Sequence, residues 1–405
     1  MSSAISTDKT VGVQGGPAEA RITEESMAAA RAMIGTILRP EGPFIQDITP
    51  DTIRNYCNGI GDLNPLFRDA EYGRRSRHAG TIAHPIMPKA YGYIGRTRWG
   101  FPGVHGFFAG NDWEFFRTWR VGDRMNCIER VVGVEEKHSS LSGKLVLQYV
   151  DAHFLNQRDE LVAHVLGWCT RHERKAARAS GKHEGSRTYQ YTAAQIEEIE
   201  ALELDEPRRM RGGKARYWQD VSEGESLDAI ARGPLTANDL KGINVGVGRG
   251  LTHGLVLQHA RRHPGHYFRN PEKGGALDYT GSGHGDASTA QKSGAPAAYD
   301  YGPGRMSWLT SLVTNWMGDA AFLKRVRGEI RKFNIVGDTT WLKGKVTRKY
   351  VQDGHALVDL EIWAENQKGE LTAPGLATVM LPSRDIHHKP VIDGASLKLD
   401  LPLIR

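Results

Sequence analysis

The sequence predicts an α+β fold made of two tandem copies of one unit, each a buried helix wrapped by an antiparallel sheet. Three observations predict it: an internal duplication, strand signals on both sides of each duplicated turn, and helix starts upstream of each. The duplication is plainest where NQRDELVA (156–163) returns as NQKGELTA (366–373). Upstream of each, Val121-Gly122-Asp123 returns as Val336-Gly337-Asp338.

Taken in order, residues 1–21 are polar and read as a flexible arm. Thr49-Pro50-Asp51 opens a helix: Thr as N-cap, Pro in the first turn, Asp at the positive end of the dipole. Ile53, Tyr56, Cys57 and Ile60 then fall on one apolar face. The buried helix of the first half is expected within 86–98, despite its Pro and Gly residues. The aromatic run WEFFR at 113–117 reads as strand core packing, not a base-stacking platform. Residues 145–154 are rich in β-branched, aromatic and aliphatic side chains, a strand signal, and the Asn-Gln turn after them carries hairpin chemistry.

Residues 174–187, rich in Lys, Arg, Gly and Ser, read as a linker, followed by a Glu-rich amphipathic helix at 192–204. The first unit is thus assigned to 22–174, the linker with its helix to 175–215, the second unit to 216–385, and an irregular tail to 386–405. In the second unit, Thr236 with Asp239 opens a helix carrying Leu240 and Ile243. Met306, Leu309, Leu312, Val313 and Trp316 make 304–318 apolar over much of its circumference, so it is expected to be deeply buried. Residues 356–363 alternate imperfectly between polar and apolar, a half-buried strand.

The bulk properties narrow the function. A chain of 405 residues suggests two domains. The net charge of +6 is too small and scattered to predict a nucleic-acid partner. Basic clusters at 74–77, 171–178 and 208–216 are either solvated surface or guides for a phosphate-bearing ligand. Three cysteines without paired spacing argue against a disulfide framework or zinc module. No stretch approaches 18 apolar residues, so a cytoplasmic protein without a membrane partner is expected. His259 and His263 stand at helical i, i+4 spacing, but a metal site needs a third ligand and supporting hydrogen bonds, so surface or linker histidines are preferred and no metal is assigned. Gly246-Val247-Gly248-Arg249-Gly250 follows no clear strand, which makes it a weak dinucleotide fingerprint. No G-x-S-x-G elbow of a serine hydrolase is present.

A buried helix wrapped by a curved antiparallel sheet is the hotdog arrangement, and specific motifs agree. GIGDLNPLFRD (59–69) resembles the D-x-N-P signature of MaoC-like (R)-specific enoyl-CoA hydratases, and GTIAHPIMP (80–88) resembles the I-A-H-G turn that opens their buried helix. The resemblance spans roughly 22–385 and implies a double hotdog. In that family a carboxylate holds water, a histidine five positions later moves a proton, and backbone N–H groups at the buried helix hold the thioester oxygen. The first half has Asp62 and Asn64 but Phe67 in the histidine's place, which resembles the non-catalytic halves that help form an acyl tunnel. Asp62, Asn64 and His84 are then expected along the ligand, Asp62 and Asn64 serving equally well as loop caps.

HGDASTAQKSGAPAAYDYG (284–302) resembles the catalytic half from its histidine onward. On that resemblance His284 is the proton shuttle and Tyr299-Asp300-Tyr301-Gly302 replaces I-A-H-G. Tyr279 stands where the catalytic Asp belongs, so Asp300 first and Asp278 second are candidates for handling water. Asp300 as a cap of the following helix is an equal alternative. Tyr299 and Gly302 are expected to touch the substrate, with the Gly302 N–H polarising the thioester oxygen. Arg305 binds a ligand anion or pairs with a neighbouring acid. The expected reaction is reversible hydration of an enoyl thioester of CoA or acyl carrier protein, with no cofactor beyond CoA as part of the substrate. The rivals are a non-catalytic acyl-CoA-binding subunit that completes a partner hydratase, and a hotdog acyl-CoA thioesterase. A homo-oligomer, or a hetero-oligomer with another hotdog protein, is expected from the remaining sheet edges.

Overall fold

The computed structural model describes residues 21–38, 42–92, 101, 104–139, 143–173 and 188–386. The linker expected at 174–187, most of the N-terminal arm and the tail from 387, with His387 and His388, lie outside the described residues.

The strands, in chain order, are β1 (Ile37–Leu38), β2 (His105–Phe115), β3 (Asn126–Ser139), β4 (Gly143–Leu155), β5 (Leu161–His172), β6 (Ile230–Arg232), β7 (Tyr267–Asn270), β8 (Ala276–Tyr279), β9 (Phe322–Glu329), β10 (Thr340–Gln352), β11 (His355–Asn366) and β12 (Leu371–Met380). Ten of them form one sheet in the order β1-β3-β4-β5-β2-β9-β12-β11-β10-β6, and β7 pairs only with β8. The order β3-β4-β5-β2 in the first half mirrors β10-β11-β12-β9 in the second. The halves join where β2 runs antiparallel to β9, with Trp113 opposite Val326. A pseudo-twofold axis therefore passes between these two strands.

The duplicated motifs turn out to grip each other. Asn156 Oδ1 accepts the N–H of Arg158 at 2.9 Å and of Glu160 at 3.1 Å, closing the β4–β5 turn. Asn366 Oδ1 does the same for Lys368 at 3.0 Å and Glu370 at 3.1 Å. The next residue reaches the duplicated Gly-Asp turn: Gln157 accepts from the Arg124 N–H and donates to Asp123, and Gln367 accepts from the Thr339 N–H and donates to Asp338. Gly122 (φ +95°) and Gly337 (φ +85°) occupy the left-handed region, which requires glycine there.

The helix starts are as expected. Pro50–Ile60 begins with a Thr49/Thr52 capping box and buries Ile53, Tyr56, Cys57 and Ile60; Ala237–Gly246 begins with Thr236/Asp239. The two cross backbone to backbone. A Cβ on Gly59 would lie 2.6 Å from the Gly242 oxygen, and one on Gly246 would lie 2.5 Å from the Asn55 oxygen. Gly246, the first glycine of the run at 246–250, is thus a packing residue.

The central helix, Gly302–Met317, is buried from Pro303 through Trp316. A helix enclosed on every side must satisfy its own polar side chains. Ser307 and Thr310 do so by donating to carbonyls four residues back, at 3.0 and 2.9 Å, and Ser311 by donating to the Asp62 carboxylate at 2.6 Å. Its first-half counterpart differs: only a single turn, Met87–Ala90, is described, and 93–100 lie outside the described residues.

The helix expected after the linker is Ala193–Leu204, with Ile199 buried. Its end docks on the second half. Glu206 forms a buried double contact with Arg232, at 2.6 and 3.1 Å, and accepts from Asn315 at 2.9 Å. In the basic cluster at 208–216, Arg209 donates to the carbonyls of Ala229 and Leu202, and Arg216 to that of Trp316. These arginines fasten the segment down. No helix among the described residues is long and apolar enough to cross a membrane.

Candidate active site

The pseudo-twofold brings two loops into equivalent positions. Ile82 bridges Arg120 and the Ala83 N–H donates to the Trp119 carbonyl at 3.0 Å; Tyr299 bridges Ile335 and the Asp300 N–H donates to the Asn334 carbonyl at 2.9 Å. Ile82-Ala83-His84-Pro85 therefore corresponds to Tyr299-Asp300-Tyr301-Gly302, and their surroundings differ sharply.

The first-half loop is closed. Asp62 Oδ1 accepts from the Asn64 N–H at 2.8 Å, and its Oδ2 accepts from Ser311 Oγ at 2.6 Å. His84 Nε2 lies 3.7 Å from the same carboxylate oxygen and 3.4 Å from Ser311 Oγ. The Phe67 ring meets the His84 ring edge-on at 5.5 Å, and Tyr56 stands 5.7 Å away. Asp62 is 1% exposed and His84 fully buried. Burial, and secondarily the Lys89 charge, push the His84 imidazole down to about 3, so it is neutral. Asn64 caps the next short helix through the Leu66 N–H, at 3.0 Å. Asn64 and Phe67 border a pocket of only about 50 Å³. Asp62, Asn64 and His84 thus belong to this packed cluster and do not line the large cleft of the second half.

That cleft has a volume of about 1590 Å³ and is lined by His284, Asp278, Tyr299, Asp300, Gly302 and Arg305, so the second-half candidates border one space. The His284 Nδ1 lies 2.9 Å from the Tyr299 carbonyl oxygen, a contact that makes Nδ1 the donor. Its ring stacks on Tyr301 with centroids 3.5 Å apart and meets Tyr299 at 4.4 Å. Loss of water, opposed by the Tyr299 contact and reinforced by the Arg249 charge, brings this imidazole down to about 3. The ring is therefore neutral near pH 7, with a proton on Nδ1 and a lone pair on Nε2.

The two carboxylates are engaged. Asp300, 5% exposed, makes a bidentate pair with Arg305, Nε to Oδ2 at 2.9 Å and Nη2 to Oδ1 at 2.5 Å. Arg305 also donates to the Lys332 carbonyl at 2.7 Å, so it is a buried anchor of Asp300. Asp278 accepts from Asn270 at 2.8 Å, Lys273 at 2.7 Å, Ser282 at 2.9 Å and the Tyr279 N–H at 2.9 Å. Those donors outweigh burial and hold its carboxyl below the usual range. It fastens the β7–β8 hairpin to the His284 turn. Gly302 begins the central helix; Pro303 has no N–H, and the Gly304 and Arg305 N–H groups donate to the Tyr301 carbonyl, which leaves the Gly302 N–H as the donor at the positive end of the dipole. A Cβ at Gly302 would lie 2.5 Å from the Phe108 ring, so glycine keeps this approach open.

Several lining residues escaped the sequence reading. Lys89 and Asn111 come from the first half. Arg249, in the glycine-rich run set aside above, lies 3.3 Å from the Tyr279 hydroxyl. His259, His263 and His266 line the rim. One lysine in the apolar run IMPKAYGYI was the only signal for Lys89. Away from the cleft, Asp151, His153 and His164 on β4 and β5 have ligand atoms within 4.8 Å of one another, the one such potential metal-binding group among the described residues.

Residues 32–165 match the family model described as the FAS1-like, dehydratase domain region. No curated protein sequence matches the chain. Among solved structures, one described as a MaoC-like dehydratase superposes with a TM-score of 0.58 at 16% identity, covering 88% of this chain and 100% of that one. A putative MaoC domain protein dehydratase from Chloroflexus aurantiacus gives 0.57 at 13% identity, covering 87% and 96%. A conserved hypothetical protein from Mycobacterium tuberculosis with a double hotdog fold gives 0.54 at 11% identity, covering 86% and 96%. Residues 32–165 thus resemble a dehydratase domain region, and the described chain as a whole has the α+β double-hotdog fold seen in structures described as MaoC-like dehydratases.

Proposed function

We propose that the chain is a hydro-lyase that reversibly adds water across the 2,3 double bond of an enoyl thioester, and that the second-half cleft is its active site. The observation that carries this reading is His284: a neutral imidazole, fixed by the Tyr299 carbonyl, in the cleft that Gly302 and the open end of the central helix also line. The cleft is lined by eight Lys and Arg against four Asp and Glu, which favours an anionic carrier such as CoA.

In hydration, His284 Nε2 takes one proton from water as the water oxygen bonds to C3. The electron pair of the double bond moves to C2 and the thioester oxygen, where the Gly302 N–H meets the developing charge. The imidazolium returns the same proton to C2, and the other hydrogen of the water stays on the new hydroxyl. Asp300 accepts three hydrogen bonds within the protein, yet a carboxylate has about four acceptor positions and can still orient the attacking water. The test is a panel of enoyl-CoA thioesters followed by loss of the conjugated-thioester absorbance. The reading fails if no member responds, or if His284→Ala turns over substrate like the wild type.

A second reading has its own support. Phe67 stands in the first-half histidine's place, and both second-half carboxylates are tied to basic partners. Those features suit a non-catalytic subunit that binds acyl-CoA and completes a partner hotdog hydratase. Co-purification with a short hotdog protein bearing an intact D-x-N-P-x-H motif, and no activity alone, would favour it.

A further inference from the structure

Two buried polar groups in the cleft have no role in the chemistry above. Lys89 is 3% exposed and stands over the Phe108 ring, 5.3 Å from its centroid, and 5.9 Å from that of Trp113. Its one hydrogen-bond contact is with the Pro303 carbonyl at 3.5 Å, and no acid pairs with it among the described residues. Asn111 is 1% exposed, and its Oδ1 has no hydrogen-bond partner. It lies two residues before Trp113 on β2, so both side chains leave the same face of the strand. Both residues line the cleft that holds His284 and Gly302.

Packing does not call for either group. A methionine would fill the space of Lys89 without placing an amine among aromatic rings, and a leucine would fill that of Asn111 without an unmatched amide. Groups kept in this state are complementary to something that enters. Resting on the hydratase reading, we propose that Lys89 and Asn111 receive a carboxylate on the acyl group, so that the preferred ligand is the monothioester of a short dicarboxylic acid.

An anion meets the needs of both side chains. Burial pushes the Lys89 amine well below its ordinary value; an entering carboxylate supplies the counter-charge that favours the ammonium, which a neutral carbonyl would not, and its second oxygen accepts from the Asn111 amide once that amide turns its NH2 inward. The position limits the length. Lys89 Nζ touches Pro303, one residue after the Gly302 N–H proposed for the thioester oxygen. Both binding points therefore lie at the first turn of the central helix, which favours a short acyl group between them.

The experiment is calorimetric titration of the full chain with pairs of equal chain length: succinyl-CoA against butyryl-CoA, and glutaryl-CoA against valeryl-CoA. The wild type is expected to bind at least one carboxylated member about tenfold or more tightly than its methyl-ended counterpart, a difference of about 1.4 kcal/mol. Lys89→Met should abolish that preference and Asn111→Leu should weaken it. Equal or weaker binding of both carboxylated thioesters, a preference that survives Lys89→Met, or no binding of any member overturns the proposal. If Lys89→Met does not fold, the wild-type comparison and Asn111→Leu decide. The two readings fail separately: a carboxylate preference without hydration of any enoyl thioester sinks the hydratase alone, and hydration without that preference sinks the carboxylate site alone.

Discussion

Acidification should destabilise this protein well before its carboxylates titrate, and two buried histidines, His84 and His78, set the size of the effect. His84 is brought down to about 3 by burial and the Lys89 charge, and His78 to about 4 by burial with Arg77 and Arg120. Both folded-state values lie below the ordinary histidine value of about 6.5, so in the window between them the unfolded chain binds protons that the folded chain refuses. Their contribution to stability is complete above pH ~6.5 and is lost as pH falls toward their folded values. At about 1.4 kcal/mol per pH unit, moving from pH 7.5 to 5 costs ~2 kcal/mol for each, or ~4 kcal/mol together. His284 adds to the loss by a smaller amount, because it faces the open cleft. On the outer face, His153 shifts down and His164 shifts up beside Asp151, so those two oppose each other in sign. Urea midpoints at pH 7.5, 6.0 and 5.0 measure the slope. His84→Gln should remove about half of the ~4 kcal/mol. Stability that stays flat over this range, or a slope that His84→Gln leaves unchanged, would refute the reasoning.

Three further outcomes follow from the contacts. Glu206→Gln leaves Arg232 buried without its anion, costing about 3–5 kcal/mol and lowering the melting temperature by roughly 6–20 °C, as calorimetry would register. Gly59→Ala puts a methyl 2.6 Å from the Gly242 oxygen at the helix crossing, and the denaturant midpoint should fall by the equivalent of about 1–3 kcal/mol. His284→Ala should lower kcat/KM for hydration by about 10²–10⁴-fold with the melting temperature maintained, which separates a proton-transfer role from a packing role.

The two-unit fold was legible because the duplicated motifs are a contact pair. The Asn-Gln turn and the Gly-Asp turn hydrogen-bond to each other in each half, so the same contact uses the same residues twice. The helix starts were legible because capping is local in sequence. The central helix was legible because Met306, Leu309, Leu312, Val313 and Trp316 spread apolar side chains over much of its circumference. Its first-half counterpart was not, since Pro85, Pro88 and Gly92 interrupt the pattern and the described portion is one turn. At the site, the stretch from His284 to Gly302 lies on one loop and one helix start, so it is read as a unit. The pairing of Asp300 with Arg305 was weighed from sequence only as one alternative for Arg305, because an i, i+5 contact across a helix start has no periodic signature. Lys89 and Asn111 reach the cleft from the other half of the chain. No local pattern announces a residue whose partner space is created by the duplication itself.

Hydration carried out in deuterium oxide tests most directly whether His284 moves the proton. With an enoyl-CoA substrate, the account predicts one deuterium on C2, on the same face as the new hydroxyl, and loss of both product and label in His284→Ala. Product formed and labelled alike by the wild type and the variant would contradict it.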